Sequence, residues 1–207
     1  MSFDINTMFK QRGGPVTINS TLINIKSLKA ETVDAIRNAA ICATVNKAYE
    51  LWGPGQALTV RDLLGNDMGY GAALENFLNV SNAAAAAWNV INTGAFAVPT
   101  ATVIGIYGVS IGWNPVLVVN NCPVSAFRID VGGSRHAQWN LQPLDVFTPA
   151  AATVNTFEPQ AGITRSPIIV AEDMTVTIFE WTRTAALAYQ PCWLGIAVEK
   201  QGVTLKP

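Results

Sequence analysis

Ionised side chains are scarce in this sequence. Charged residues make up 13% of its 207 residues, which is about half the share of an ordinary soluble protein. Residues 76–127 contain no charged side chain at all. Charge normally keeps a protein surface hydrated and prevents association. The surface of this chain must therefore be covered in another way, by lipid, by partner subunits or by a neutral polar coat.

Histidine is nearly absent, which removes the usual catalytic base. The single histidine, His136, has Ser134 and Asp145 near it in sequence, so one Ser–His–Asp arrangement is conceivable. The alternation around it places Ala137 and Trp139 on the inner face of a strand. His136 is then predicted to point outward into solvent, without a catalytic role.

Cysteine is also scarce, and its spacing matches no metal motif. Cys42, Cys122 and Cys192 lie 80 and 70 residues apart in apolar surroundings, so they are predicted to be small buried hydrophobes in a reducing compartment. A histidine metal site would need more than one histidine, and no pair of cysteines supplies further ligands. No metal site is therefore expected. The N-terminal stretch contains Asp4 and no long apolar core, which predicts no secretory signal.

Other signatures of chemistry are missing as well. The net charge of −1 offers no basic field for nucleic acid, and neither a dinucleotide fingerprint nor a phosphate-binding loop occurs. The adjacent acids Glu172 and Asp173 are expected in a turn rather than as a glycosidase pair. The tryptophans on predicted strands could form a sugar platform, but core packing is favoured for them: Trp113, Trp139, Trp181 and Trp193. We expect no enzyme, no cofactor and no specific nucleic acid.

The N-terminal part has mixed periodicity. Alternation within residues 15–28 predicts a strand. Apolar residues at steps of three and four predict a helix over Ala30–Trp52, stopped by the "GPG" at 53–55. Thr59 is placed to cap a short helix that ends at Gly65.

A second, longer helix is predicted from about Met68 to 91. Apolar and small residues recur there in a seven-residue period, which is suited to packing along a neighbour. The candidate subunit-interface residues are Tyr70, Leu74, Phe77 and Trp88. The alternative is that this seam packs on the protein's own sheet or on the first helix.

From residue 98 the pattern becomes strand-like. Predicted strands lie within 98–113, 115–119, 125–131, 136–141, 167–182 (one strand, or two with a turn) and 192–200, with "GGS" at 132–134 as a turn and a long connection over 143–167. The fold class predicted is mainly β with an N-terminal helical region, an antiparallel β-sandwich of the jelly-roll type. Residues 1–97 would form strands and helices, as an arm or insertion, and 98–207 the sandwich, in one folded unit with strand 15–28.

The uncharged run raises the question of a membrane span. The window Ala95–Trp113 is long enough to cross a bilayer as a helix. It contains Pro99, it is rich in valine and isoleucine, and it lacks basic flanks. Two buried strands are therefore favoured, with a peripheral membrane contact left open.

Two stretches carry a resemblance to a known family. "SPIIVAEDMTVTIFEW" at 166–181 and "FRIDVGGSRHAQWNL" at 127–141 resemble, in layout, the jelly-roll capsid proteins of tailless icosahedral viruses, especially those that contain a membrane. The resemblance covers residues 98–205. It implies an eight-stranded sandwich of two sheets without enzymatic activity, whose subunits associate side by side into a shell over a membrane. A helical region before the sandwich departs from the minimal jelly roll.

Three functional hypotheses follow. The first is a structural subunit of a capsid, located in virions assembled in the host cytoplasm, whose partners are copies of itself, other virion proteins and an underlying lipid membrane. The second is a β-sandwich binding module, such as a vertex, spike or carbohydrate-binding protein. The third is a membrane-associated structural protein.

Overall fold

A computed structural model describes residues 20–24, 30–69, 80–81, 86–92, 96–112, 124–140, 160–182 and 188–202. The elements in chain order are β1 (Ser20–Asn24), α1 (Ala30–Trp52), β2 (Leu58–Asp62), a 3-10 helix (Gly65–Met68), β3 (Val80–Ser81), β4 (Ala87–Val90), β5 (Phe96–Ala97), β6 (Thr102–Gly112), β7 (Val124–Val131), β8 (Ser134–Asn140), β9 (Gln160–Val170), β10 (Thr175–Thr182) and β11 (Ala188–Lys200).

The strands form two sheets, and every pairing among them is antiparallel. The first sheet has the order β1-β9-β6-β11-β2, with β3 added at the start of β11. The second has the order β4-β10-β7-β8, with β5 added to β10. The prediction of a mainly β chain with two antiparallel sheets and an N-terminal helix is confirmed.

The main hydrophobic core lies between the two sheets, as in a β-sandwich. Alternate residues of each strand point into it, because successive side chains of a strand face opposite sides. The largest contributors are Ile104, Ile106 and Trp193 from the first sheet and Phe127, Ile129, Trp139 and Ile178 from the second. Burial of each such side chain contributes about 1.5–3 kcal/mol. The core placement predicted for Trp139 and Trp193 is confirmed, whereas Trp181 is only half-buried and Trp113 lies outside the described residues.

Helix α1 has the predicted bounds and covers the outer face of the first sheet. Its inner face consists of the small residues Ala40, Thr44 and Ala48, all buried. Small side chains let the helix approach the sheet closely. A Cβ atom at Gly105 of β6 would overlap the Thr44 hydroxyl, so only glycine fits at that position.

The end of α1 is fixed by a carboxylate in the turn between β9 and β10. Glu172 Oε1 accepts a hydrogen bond from the Trp52 indole (2.9 Å), and Oε2 accepts one from the Ala101 amide (2.5 Å). The turn predicted at Glu172 and Asp173 is confirmed. These acids shape the fold, as the sequence indicated.

The hairpin between β7 and β8 also matches its prediction. Gly132 and Gly133 both have positive φ, 57° and 80°, as a two-residue turn of this hand requires. The turn sets the register in which Ala137 and Trp139 enter the core and His136 is exposed.

Three predicted elements are wrong. Residues 58–62 form strand β2 rather than a helix capped by Thr59, because they pair with β11 over Ile196–Lys200. Residues 80–81 and 87–90 form strands β3 and β4 rather than parts of a long helix, because they pair with β11 and β10. Strand β9 begins at Gln160, inside the predicted connection 143–167, because its first half pairs with β1 and β6.

The predicted burial of Cys42 is also wrong. Cys42 is exposed, because it lies on the side of α1 opposite Ala40 and Ala48. Cys192 is half-buried, and Cys122 lies outside the described residues.

The window considered as a membrane span contains β6, a strand whose residues 102–109 are all buried. The preference for buried strand is confirmed there. Within the described ranges, no helix combines the length and the apolarity needed to cross a bilayer.

Candidate functional site

The structure describes one of the four predicted interface residues. Tyr70, Leu74 and Phe77 lie outside the described residues. Trp88 lies on β4, where its indole packs edge-on against Trp181 of β10, with ring centroids 5.7 Å apart and planes at 71°. This geometry is favourable for aromatic pairs. The two tryptophans face each other because β4 pairs with β10 at these positions.

Trp88 belongs to a surface that we call the aromatic face, formed by Trp88, Val90, Arg128, Phe179 and Trp181. These residues lie on the outer side of the second sheet, because their neighbours along each strand point into the core. Trp181 lies opposite Trp88, and Phe179 lies between Val90 and Arg128. Val90 is 47% exposed, and the other four are half-buried.

Arg128 supplies the positive charge of this face, and that charge is already compensated. Its guanidinium lies 3.9 Å from the ring centroid of Phe179 and 5.1 Å from that of Trp88. Its Nε is 3.0 Å from Asp130 Oδ1. Each cation–π contact is worth about 0.5–2 kcal/mol. The result is a neutral surface of aromatic rings and arginine, the composition enriched at protein interfaces.

The outer faces of the two sheets differ in what covers them. Helix α1 packs on β6, β9 and β11 of the first sheet. Among the described elements, no helix lies over the second sheet. Within the described residues, the aromatic face is therefore the sheet surface that α1 does not cover.

An ion cluster around Arg61 holds two largely buried carboxylates at the edge of the first sheet. The Arg61 Nη1 and Nη2 groups donate to the two oxygens of Asp67 (2.6 and 2.9 Å), and its Nε donates to Glu199 Oε1 (3.0 Å). The hydrogen bond to Asp67 raises the pKa of Arg61 further above its ordinary value, although burial opposes this. Asp67 also accepts the amide of Leu64 (2.7 Å). These bonds hold β2, β11 and the 3-10 helix together, so this acid pair has a structural role.

Candidate catalytic groups do not converge within the described residues. Ser134 and His136 are both exposed on β8, and Asp145 lies outside the described residues. No group of three histidine, cysteine or acidic residues in the described ranges could hold a metal ion.

A cleft of about 230 Å³ separates the first half of α1 from the first sheet, with Ile36, Tyr107, Thr164 and Pro167 among its lining. Thr164 Oγ1 donates to the carbonyl of Tyr107 (3.2 Å), and burial raises the pKa of the Tyr107 hydroxyl. A hydroxyl engaged with the backbone and a phenol that keeps its proton offer no nucleophile. The cleft is therefore a packing gap beneath the helix.

The comparisons with known proteins add no relative. No family model, no curated protein and no solved structure matches this chain. Its function is therefore inferred from its own residues and geometry.

Sequence reasoning missed two features of the second sheet. Glu180 is fully buried between the sheets, and the alternation of "TVTIFEWT" could have revealed it, since Glu180 shares a face with Val176 and Ile178. The clustering of Arg128 with Trp88 and Phe179 could not have been found, because these residues come from three strands distant in sequence.

Proposed function

We propose that this chain is a structural subunit of a viral capsid. Copies of it associate with one another and with other virion proteins, through neutral and apolar surfaces, into an icosahedral shell in virions assembled in the host cytoplasm. The observation that carries the proposal is the order in which the strands pair.

That order supports a jelly-roll fold for this chain. Such a fold is an eight-stranded antiparallel sandwich in which one long hairpin is rolled up, so the first strand pairs with the eighth, the second with the seventh, the third with the sixth and the fourth with the fifth. Taking β2, β4 and β6–β11 as the eight strands, the corresponding pairs are β2–β11, β4–β10, β6–β9 and β7–β8. Strand β1 then adds to the free edge of β9, and α1 precedes the first of the eight.

The distribution of charge supports association. Burial of β6 within this fold accounts for part of the uncharged run at 76–127. It does not account for β4, whose Val90 is the most exposed of the large apolar residues in the described ranges. Subunit interfaces of obligate assemblies resemble a protein core cut in half, and the aromatic face, which includes Val90, has that character.

We expect Val90→Asp to weaken assembly while leaving the subunit folded. An exposed side chain tolerates a charge in the isolated subunit, but a charge buried without a partner in an interface costs several kcal/mol. The mean size of the assemblies, measured by light scattering, should fall, while the circular dichroism spectrum stays unchanged.

Val60→Asp is the matched control, since Val60 is 40% exposed on a strand of the other sheet. It should leave assembly size unchanged. Equal assembly of the Val90→Asp variant and the parent protein would remove the aromatic face from the proposed interface.

A second candidate function is a binding module for sugars or a receptor. The Trp88–Trp181 pair with Arg128 favours it, because aromatic rings beside a polar group suit a carbohydrate. Binding to a glycan array that is lost in Trp88→Ala would support this function over the capsid. An array without hits, together with assembly into large particles, would support the capsid.

A further inference from the structure

Glu180 places a carboxylic acid at a core position of the second sheet. On β10, Val176, Ile178 and Glu180 are each 0% exposed, whereas the residues between them lie on the outer face. Strand alternation therefore directs the carboxyl group between the two sheets. Register places Glu180 between Phe127 of β7 and Asn89 of β4.

The carboxyl group of Glu180 has no compensating partner in the part of the chain that the structure describes. Neither oxygen has a hydrogen-bond partner there, and its neighbours across the sheet are the buried Phe127 and the uncharged, half-buried Asn89. The charged side chains that the structure describes on the neighbouring elements are engaged or directed elsewhere. They lie on the outer face of β7 (Arg128, Asp130), at the exposed start of β8 (Arg135, His136), in the β9–β10 turn (Glu172, Asp173), in the Arg61 cluster (Asp67, Glu199) and at the end of β11 (Lys200).

An ionised carboxylate in such a place is costly, because nothing replaces its hydration. Burial raises the pKa of Glu180 from 4.5 to about 8. Between these two values the folded protein keeps a proton that the unfolded chain has lost. Stability therefore falls as the pH rises through this window and stops falling above it. The unfolding equilibrium constant should rise by about tenfold per pH unit from this group alone.

We propose that Glu180 makes the packing of the two sheets depend on pH. The sheets pack firmly while its carboxyl group is neutral, and the packing loosens as the group ionises. Ionisation of Glu180 therefore makes the protein less stable as the pH rises towards 8. This pH dependence is a property of the subunit and does not depend on the proposed shell.

Urea unfolding at each pH from 5 to 9 tests this proposal with two variants. Glu180→Gln keeps the shape of the neutral acid and cannot ionise. Glu31→Gln changes an exposed residue in the first turn of α1 and serves as the control. Between pH 5 and 8, the unfolding constant of the parent protein and of the control should rise about tenfold per unit more steeply than that of Glu180→Gln. Equal slopes for all three proteins would overturn the proposal.

Infrared spectroscopy of the parent protein gives a second readout that needs no variant to fold. A protonated carboxyl band that persists at pH 7 and disappears by pH 9 is expected, since ordinary carboxyl groups lose their protons near pH 4. The absence of any such band at pH 6 would contradict a neutral Glu180.

Discussion

Arg61→Met should be among the most destabilising single substitutions in this protein. The change leaves Asp67 and Glu199 with relative exposures of 4% and 9% and without their cation. Removing one member of a buried ion pair typically costs about 3–5 kcal/mol, because the remaining charge is left uncompensated. The free energy of unfolding, measured in urea, should fall by about that amount.

Arg37→Met is the matched control, since Arg37 also pairs with an aspartate, at 2.7 Å from Asp62. That pair is largely exposed, with side-chain exposures of 41% and 74%. Its loss should cost less than about 1 kcal/mol. Equal losses for the two arginine variants would show that the Arg61 cluster does not stabilise the fold.

The triple variant Arg61→Met, Asp67→Asn, Glu199→Gln separates charge from packing. It removes both orphaned carboxylates, while the new asparagine side chain can still accept the amide of Leu64. Neutral replacement of a buried ion cluster is often tolerated, so this variant should recover most of the lost stability. Failure to recover would mean that the geometry of the bonds, rather than uncompensated charge, sets the cost.

Asn92→Ala should produce a loss of similar size through hydrogen bonding. The Asn92 Nδ2 group donates to the carbonyls of Met68 (3.0 Å) and Val176 (3.1 Å), and its Oδ1 accepts the amide of Ile178 (3.0 Å). Alanine leaves three buried backbone groups without partners, at about 1–3 kcal/mol each. We expect a loss of at least about 3 kcal/mol in urea unfolding.

Asn89→Ala provides the comparison for Asn92. Asn89 lies on the adjoining strand β4 but is half-buried, and it donates to the carbonyl of Ala87, two residues away. Because Asn89 is less buried than Asn92, water can hydrate a backbone group that its loss exposes, so the loss of stability should be smaller than for Asn92. If the free energy of unfolding falls equally in the two asparagine variants, the hydrogen bonds of Asn92 do not connect the 3-10 helix to β10 in a stabilising way.

The sequence predicted those elements whose signals are local. Helix α1 follows from apolar spacing and from the "GPG" that stops it. The β7–β8 hairpin turn at Gly132–Gly133 and the turn at Glu172–Asp173, which leads from one sheet to the other, follow from short polar stretches between alternating strands, because such stretches leave few other conformations. The orientation of His136 then follows from the register that the turn imposes.

The sequence did not predict the elements that depend on distant pairing. "LTVRD" at 58–62 reads equally well as the start of a helix, and its strand conformation is decided by β11, far along the chain. The same holds for "AWNV" at 87–90. Trp88 continues a seven-residue spacing that is typical of a helix, but pairing with β10 keeps this segment extended.

The candidate interface was predicted only in part. Trp88 was singled out as an interface residue, and the structure places it on the aromatic face. The reason given for it, a helical seam with Tyr70, Leu74 and Phe77, is wrong at Trp88, and those three residues lie outside the described ranges. Whether this surface forms the contact between subunits is a prediction that the Val90 variant tests.

The mass of the native assembly tests the central claim most directly. The claim is that a chain so poor in charge covers its apolar exterior with further copies of itself. Size-exclusion chromatography with light scattering should show particles of many times the 22.1 kDa subunit mass, with little free subunit. A single species of 22.1 kDa that persists at high concentration would contradict the account.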